Sequence, residues 1–378
     1  MNFSKHLFIT VSLVSFWSLA ACQEDSDKFA QLSLQEKEEK DDSVIAKIAH
    51  GLHSIQGRRY SQQDAHDHIE ADNFNLFILC DGHGQTAQRL GCRAELSEWN
   101  KTDLKRFEHQ HSTDEFVMVD AGAAASGIAV ETIKKYFEEN DFELTTVVTR
   151  LHEAVNQAEH TLSALSRSPY NQNGHEVYPS VTWGNGTTLL LGLLCENIMT
   201  ICWAGDSRAT CVRDGRAIWC SRDHNPSDSQ EVSRIAAAQK KYEQEYGKRC
   251  PLTVYDNRIG GSLAVSRALG DFYLKQRGSE QVEALTHQPE VVQIKTEPGD
   301  TWVLCCDGVH ESFTSPAIGD FIAEQDTLSP QELAEKLVTE AHDKGSRDNI
   351  SAWVIQIPGE PVANTPLEII SAKDFATT

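Results

Sequence analysis

The chain's 378 residues, 40% of them hydrophobic, are enough for one large domain or two ordinary ones with a substantial core. Its 34 basic and 56 acidic residues give a net charge of -22, so DNA or RNA would meet repulsion and a nucleic-acid partner is set aside. Ten cysteines are too few for a disulfide scaffold, and Cys80, Cys195, Cys202, Cys305 and Cys306 lie inside apolar runs, a usage suited to a reducing compartment.

The N-terminus points elsewhere. Residues 1–6 carry one lysine, residues 7–21 are uncharged and mostly apolar, and the run ends Leu19-Ala20-Ala21-Cys22. This is signal-peptide architecture, and its apolar part falls short of the about 20 residues a membrane-spanning helix needs. It resembles a bacterial lipoprotein signal. That resemblance implies removal of residues 1–21, lipidation of Cys22 and a membrane-anchored, extracytoplasmic protein; the core-like cysteines favour the alternative, a cytoplasmic protein with an apolar leader. Residues 22–46, with Gln35-Glu36-Lys37-Glu38-Glu39-Lys40-Asp41-Asp42, read as an acidic tether. From 47 to 357 strand-like and helix-like segments alternate without a long break, which predicts one domain, and 358–378 is a polar tail behind Pro358-Gly359-Glu360-Pro361.

Bounded apolar runs predict strands over Phe74 to Cys80, Thr188 to Cys195, Ile198 to Ala204, Thr210 to Arg213, Ala217 to Cys220, Trp302 to Cys306 and Ile350 to Ile357. Glu196-Asn197 and Asp214-Gly215 separate neighbouring runs so closely that only antiparallel hairpins can join them. Val148, Leu151, Val155, Ala158, Leu162 and Leu165 form one helical stripe. Ser329-Pro330-Gln331-Glu332 combines a capping box with a proline at the first helical position, opening a helix that ends before Gly345. The segment Leu263 to Asp271 is expected to be a helix ended by Gly270. Residues 91–127, with an Ala-rich stretch between Gly122 and Gly127, read as a long connection, and this insert and the polar span 227–258 are candidates for substrate-selecting lids. Antiparallel sheets covered by amphipathic helices make the fold class α+β.

The apolar strands terminate in aspartates: Asp81, Asp206 and Asp307 follow three of them, and Asp348 precedes the last. A single Asp-Gly is turn chemistry. Several carboxylates gathered at one end of a sheet repel unless cations sit between them, and an oxygen-only set suits Mg²⁺ or Mn²⁺ rather than Zn²⁺. No phosphate-binding loop ending in Gly-Lys-Ser/Thr is present, and no Gly-x-Ser-x-Gly nucleophile elbow.

These residues resemble the PP2C (PPM) type of metal-dependent serine/threonine protein phosphatase. Eight segments stand in family order: Arg59-Tyr60-Ser61-Gln62-Gln63-Asp64-Ala65, Leu79-Cys80-Asp81-Gly82-His83-Gly84, Gly186-Thr187-Thr188, Ala204-Gly205-Asp206-Ser207-Arg208-Ala209, Arg222-Asp223-His224-Asn225-Pro226, Leu263-Ala264-Val265-Ser266-Arg267-Ala268-Leu269-Gly270-Asp271, Cys306-Asp307-Gly308 and Gly345-Ser346-Arg347-Asp348-Asn349. The resemblance implies two packed antiparallel sheets flanked by helices, an α-β-β-α sandwich with two Mg²⁺ or Mn²⁺ ions in a cleft at one end. It makes Asp81 the bridging ligand, Gly82 a carbonyl ligand, Asp307 and Asp348 ligands of the second ion, and Asp64 a supporting charge. Asp206, with Asp307 and Glu311, resembles a third, weaker metal site. Arg59 becomes the phosphate clamp, with Arg58 as the competing candidate, and His83 the acid for the leaving group. The implied chemistry is in-line attack by a hydroxide shared between two cations, without a phosphoenzyme. One departure stands out: the family has an acidic residue where this chain has Gln63, whose amide can accept from metal-bound water but brings no charge. The implied partners are phosphorylated proteins, and the chain is expected to be a monomer. Two other readings remain: a catalytically impaired module that keeps the fold, raised by Gln63, and a two-metal phosphodiesterase or nuclease, disfavoured by the charge.

Overall fold

The computed structural model of the chain describes residues 48–85, 88–92, 105–108, 112–113, 116–141, 143–166, 182–277, 280–359 and 365–370. The leader, Cys22, the 22–46 tether, part of the 91–127 span and most of the tail lie outside them.

Two antiparallel sheets dominate. The strands in chain order are β1 (Ala49–Ile55), β2 (Asp64–Glu70), β3 (Asn75–His83), the hairpin of β4 (Gln88–Cys92) with β5 (Phe116–Val119), β6 (Gly186–Thr187), β7 (Leu189–Cys195), β8 (Ile198–Ala204), β9 (Arg208–Arg213) and β10 (Arg216–Cys220). Of these, β1, β9 and β10 belong to the second sheet and β4 with β5 forms a ribbon of its own. Further along come β11 (Leu269–Gly270), β12 (Glu290–Lys295), β13 (Thr301–Cys305), β14 (Ile350–Gln356) and β15 (Ile369–Ile370). The first sheet runs β11-β6-β3-β7-β8-β12-β15, with β2 also on β3; the second runs β1-β14-β13-β9-β10.

The period-2 alternation of these strands divides the core into three layers. Leu76, Ile78 and Cys80 of β3 with Leu189, Leu191 and Leu193 of β7 face one set of helices. Phe77, Leu79 and Leu190 turn the other way and meet Trp302, Leu304, Trp353 and Ile355 of the second sheet. Val303, Cys305, Ile350, Ala352 and Val354 then face the helices behind that sheet. Such two-sided burial is why these strands read as continuous apolar runs.

Helix α1 (Ala121–Glu139) and α2 (Val147–Ala164) cover the first sheet. Helix α3 (Ser229–Tyr246) buries Ile235 and Tyr242 with Leu252, Ile259, Val265 and Leu274 in a cluster of its own. The short α4 (Asp307–His310), α5 (Ser315–Glu324) and α6 (Pro330–Asp343) back the second sheet; the Ser329 capping box forms as expected. The architecture is the α+β sandwich of two antiparallel sheets flanked by helices. No helix among the described residues is long and apolar enough to cross a membrane.

Two sequence expectations are corrected. Residues 121–127 are the first turns of α1, not a connection, and Ala121, Ala124 and Ala125 are fully buried. Small side chains let that helix approach the sheet closely, and they leave no stripe of large apolar residues to read. Leu263 to Asp271 is not a helix: Val265 and Ala268 join the α3 cluster while Leu269 enters the core under α1 and α2, a divergence one helical face cannot make.

Candidate metal centre

The topology gathers the aspartates. Strands β3 and β8 both lie antiparallel to β7, so their C-terminal ends, with Asp81 and Asp206, share one end of the sandwich. Strand β2 runs antiparallel to β3 in a register that pairs Asp64 with Asp81. In the second sheet β13 ends before Asp307 and its antiparallel neighbour β14 begins after Asp348. Donor atoms of Asp64, Asp81 and Cys306 all lie within 4.8 Å of one another.

Backbone and hydroxyl contacts fix each group. Asp81 is held by β6 and its neighbour: Thr187 Oγ1 donates to Asp81 O at 3.0 Å and Asp81 N to Thr188 Oγ1 at 3.2 Å. Ser351 Oγ donates to Asp64 Oδ2 at 2.6 Å. Gly82 donates its N–H to Gln63 O at 3.1 Å. A Cβ on Gly82 would stand 2.4 Å from Gly122 O and 2.6 Å from Gln63 O, so only glycine lets the backbone seat here. Asn349 ties the two halves of the centre: its Nδ2 donates to Gln56 O and Ser61 O, and its Oδ1 accepts from Gln63 N.

The electrostatics are those of an uncompensated acidic cluster. Burial, and then the charges of Asp64, Asp307, Asp206 and Asp348, push the Asp81 carboxyl well above its ordinary range. Asp307 is raised likewise, by burial and then Asp206 and Asp348. Asp64 is pushed up to about 6, mainly by burial, and Asp206 to about 6 by burial and Asp223. Asp348 is raised by burial against the pull of Arg59. Asp64 Oδ1 and Asp307 Oδ1 are buried without any hydrogen-bond partner. An oxygen-rich set with orphaned carboxylate oxygens fits a hard divalent cation such as Mg²⁺ or Mn²⁺. Cys306 is no competitor: burial and the carboxylates around it hold its thiol protonated, and it sits between Asn349 O at 3.4 Å and Ser351 N at 3.2 Å.

A second acidic group, His224, Glu231 and Glu290, is filled by arginines instead. Arg267 reaches Glu231 at 2.6 Å and Glu290 at 3.1 Å, and Arg222 reaches Glu290 at 2.6 Å.

The remaining predicted residues take distinct positions. Arg59 Nη2 donates to Asp348 Oδ2 at 2.5 Å with 54% of its side chain exposed, whereas Arg58 bends away to Gly345 O and His342 O. That separation selects Arg59 as the guanidinium at the rim. Glu311 Oε2 accepts from Ser346 Oγ at 2.9 Å and Arg347 N at 2.7 Å, bracing the turn that carries Asp348. The Gln63 amide turns to Asp120, donating from Nε2 to Oδ1 at 2.7 Å. His83 Nε2 lies 2.7 Å from Asp271 Oδ2, and Asp271 is buried in the left-handed region at φ 53°. Burial lowers the His83 pKa, but the charge and hydrogen bond of Asp271 overcome it, and the net direction is up. Asp271 closes the Leu263 to Asp271 segment, to which the sequence assigned no catalytic role, and Asp120 stands in no motif; their partners are 188 and 57 positions away.

The family model for protein phosphatase 2C matches residues 121–350, which include Asp206, Asp271, Asp307 and Asp348, while Asp64, Asp81 and Gly82 precede the match. The chain is similar to "Probable protein phosphatase 2C 22" of Arabidopsis thaliana, 34% identical over 187 residues, 48% of this chain and 45% of that protein. It is also similar to "Protein phosphatase 1B" of Mus musculus, 26% identical over 324 residues, 83% of this chain and 71% of that protein. The first of these alignments thus spans less than half the relative's length. Among solved structures the S. agalactiae serine/threonine phosphatase shares the fold at a TM-score of 0.53 and 20% identity, over 82% of this chain and 99% of that one. With the sheets, the gathered aspartates and a family match over most of the described core in agreement, the chain belongs to the protein phosphatase 2C family, whose members depend on Mg²⁺ or Mn²⁺.

Proposed function

We propose that the protein hydrolyses phosphoserine and phosphothreonine in proteins, in line and without a phosphoenzyme. The observation that carries this reading is the cluster of Asp64, Asp81, Asp206, Asp307 and Asp348 at one end of the sandwich, with buried oxygens lacking partners and Arg59 and His83 beside it. Asp81, the Gly82 carbonyl, Asp307 and Asp348 would hold two divalent cations, with Asp64 adding charge and Asp206 serving a weaker third. When bound, the cations supply Lewis-acid charge and an activated water as nucleophile.

The chain's own groups do the rest. Arg59 is charged at any relevant pH, and the exposed part of its fork is available to two phosphoryl oxygens while one arm stays on Asp348. His83 gives Nε2 to Asp271, which leaves Nδ1 as the nitrogen that can pass a proton to the departing serine or threonine oxygen. Positioning and charge are what these groups contribute to the rate.

A catalytically impaired module that keeps the fold is the competing reading, favoured by Gln63. Phosphate release from phosphoserine and phosphothreonine peptides, with Mn²⁺ and with chelator, separates the two. Metal-dependent release that Asp307→Ala abolishes is expected; metal-independent release, or full activity in that variant, refutes the scheme, and Mn²⁺ binding without turnover supports the impaired module. We further propose that residues 1–21 are a lipoprotein-type leader and Cys22 the lipidated residue; an intact Met1 in mass spectrometry of the mature chain would remove that claim.

A further inference from the structure

We infer that Asp120 completes the cation centre from behind, lending its negative charge through the amide of Gln63. The inference rests on the two-cation reading above and goes beyond its ligand set.

Asp120 follows β5 and precedes α1, and its N–H donates to Phe107 O at 2.9 Å. It is only 8% exposed. Its Oδ1 receives Gln63 Nε2 at 2.7 Å and, as the cap of α1, Ala123 N at 3.0 Å. Its Oδ2 is buried and has no hydrogen-bond partner, and no lysine or arginine among the described residues pairs with it. Capping accounts for the first oxygen and leaves the second unexplained. A carboxylate so deeply buried without a cation is costly, and a cation close by removes that cost.

The place where a cation is expected is adjacent. Gln63 O accepts the Gly82 N–H, and Ser126 Oγ of α1 donates to the same Gln63 O at 2.5 Å. A Cβ on Gly122 would come within 2.5 Å of Gln63 Cδ, and a Cβ on Gly82 within 2.4 Å of Gly122 O. Gly82, Gln63, Gly122 and Asp120 therefore form one tightly packed unit behind the carbonyl assigned to the cation. An amide whose NH₂ faces a carboxylate keeps a single acceptor, Oε1, and the carboxylate's charge strengthens that acceptor. Gln63 thus offers a hydrated cation a more negative oxygen than an isolated amide would.

This arrangement also answers the departure at position 63. The charge that an acidic residue would carry there is supplied from the far side of the amide, by the residue that ends the long connection between Gln85 and Ala121.

Mn²⁺ titration calorimetry on the metal-stripped full chain tests this without reference to turnover. Asp120→Asn keeps a capping oxygen, since asparagine caps as well as aspartate, so the metal-free melting temperature should hold while Mn²⁺ affinity falls about tenfold. Gln63→Glu combined with Asp120→Asn moves the charge to the other member of the pair and should recover affinity to within about threefold of wild type. Wild-type affinity in Asp120→Asn, or a loss the double variant fails to recover, overturns the inference and leaves Asp120 a capping residue only. Asp81→Asn is the control for the parent reading: if it takes up Mn²⁺ as wild type does, the two-cation centre itself falls.

Discussion

Replacing Asp64 with asparagine should make the metal-free protein more stable, not less. The side chain is 8% exposed, and burial followed by the charge of Asp348 raises its pKa from 3.8 to about 6. A folded-state value above the unfolded one means that the associated stability is fully present below pH about 4 and is lost as pH rises through about 6. A rise of about two units at 1.36 kcal/mol per unit sets an upper limit of about 3 kcal/mol for that loss at pH 7.5. Asparagine removes the titrating charge yet can still accept the Ser351 hydroxyl that Asp64 Oδ2 receives at 2.6 Å. Metal-free Asp64→Asn should therefore exceed wild type by about 1–3 kcal/mol at pH 7.5, roughly 2–6 °C in melting temperature, and the gap should close toward pH 4. Mn²⁺ should narrow that gap, because a ligand at a hundredfold its Kd adds about 2.7 kcal/mol to wild type and less to a variant that lacks the supporting charge. Scanning calorimetry at pH 4 and 7.5, with chelator and with Mn²⁺, reads all four states. A metal-free variant less stable than wild type at pH 7.5 would refute the idea that the cluster stores electrostatic strain for a cation.

Asp271→Asn should lower kcat on a phosphoserine peptide about 10–100-fold while changing p-nitrophenyl phosphate turnover less than about threefold, because that leaving group needs no proton; equal losses on both substrates would make Asp271 merely structural. Gly82→Ala, whose Cβ would stand 2.4 Å from Gly122 O, should cost about 1–3 kcal/mol by denaturant titration and abolish tight Mn²⁺ binding, and a well-folded variant with wild-type affinity would contradict the glycine argument. Burial opposes but bonds from Arg267, Arg234 and Ser266 hold the Glu231 carboxyl down to about 2, so its contribution is present above pH about 4.5 and lost as pH falls through about 2. Glu231→Gln should accordingly lose about 3 kcal/mol at pH 7 and progressively less in acid; a penalty independent of pH would place the effect in packing instead.

What the sequence disclosed follows from how strongly each segment is buried. Strand β8 was legible to the residue, Ile198 to Ala204, because all seven of its side chains are buried and no polar position interrupts them. The aspartates were legible as strand-terminal residues because each adjoins a continuous apolar run, while the sheet order that gathers them, β3 and β8 on either side of β7, was not. Strand β2, Asp-Ala-His-Asp-His-Ile-Glu, was not, since its half-exposed polar residues carry no apolar period and its pairing with β3 is what makes it a strand. Helix α1 was missed for the opposite reason: alanine and glycine make its buried face small rather than hydrophobic in pattern. The role of Asp271, though it closes a segment the sequence singled out, and Asp120 altogether lay beyond reach because each acts on a residue that only the tertiary fold brings near, His83 and Gln63.

The buried acids themselves sort into two populations, and the sorting bears on function more than any motif. Away from the centre each has its own cation: Arg213 grips Asp300 with two bonds of 2.7 Å, Lys275 meets Glu159 at 2.7 Å, and Arg267 meets Glu231 at 2.6 Å. At the centre the pattern stops. Asp64, Asp81, Asp307 and Asp120 have no lysine or arginine partner among the described residues, and three of them keep a buried oxygen with nothing bound to it. A chain that pairs its buried carboxylates internally elsewhere leaves most of those that converge on one end of the sandwich unpaired, Asp348 with Arg59 at the rim being the exception. The simplest physical reason is that their counter-charge comes from solution, and removing a central carboxylate should then relieve the metal-free fold while costing it the cation.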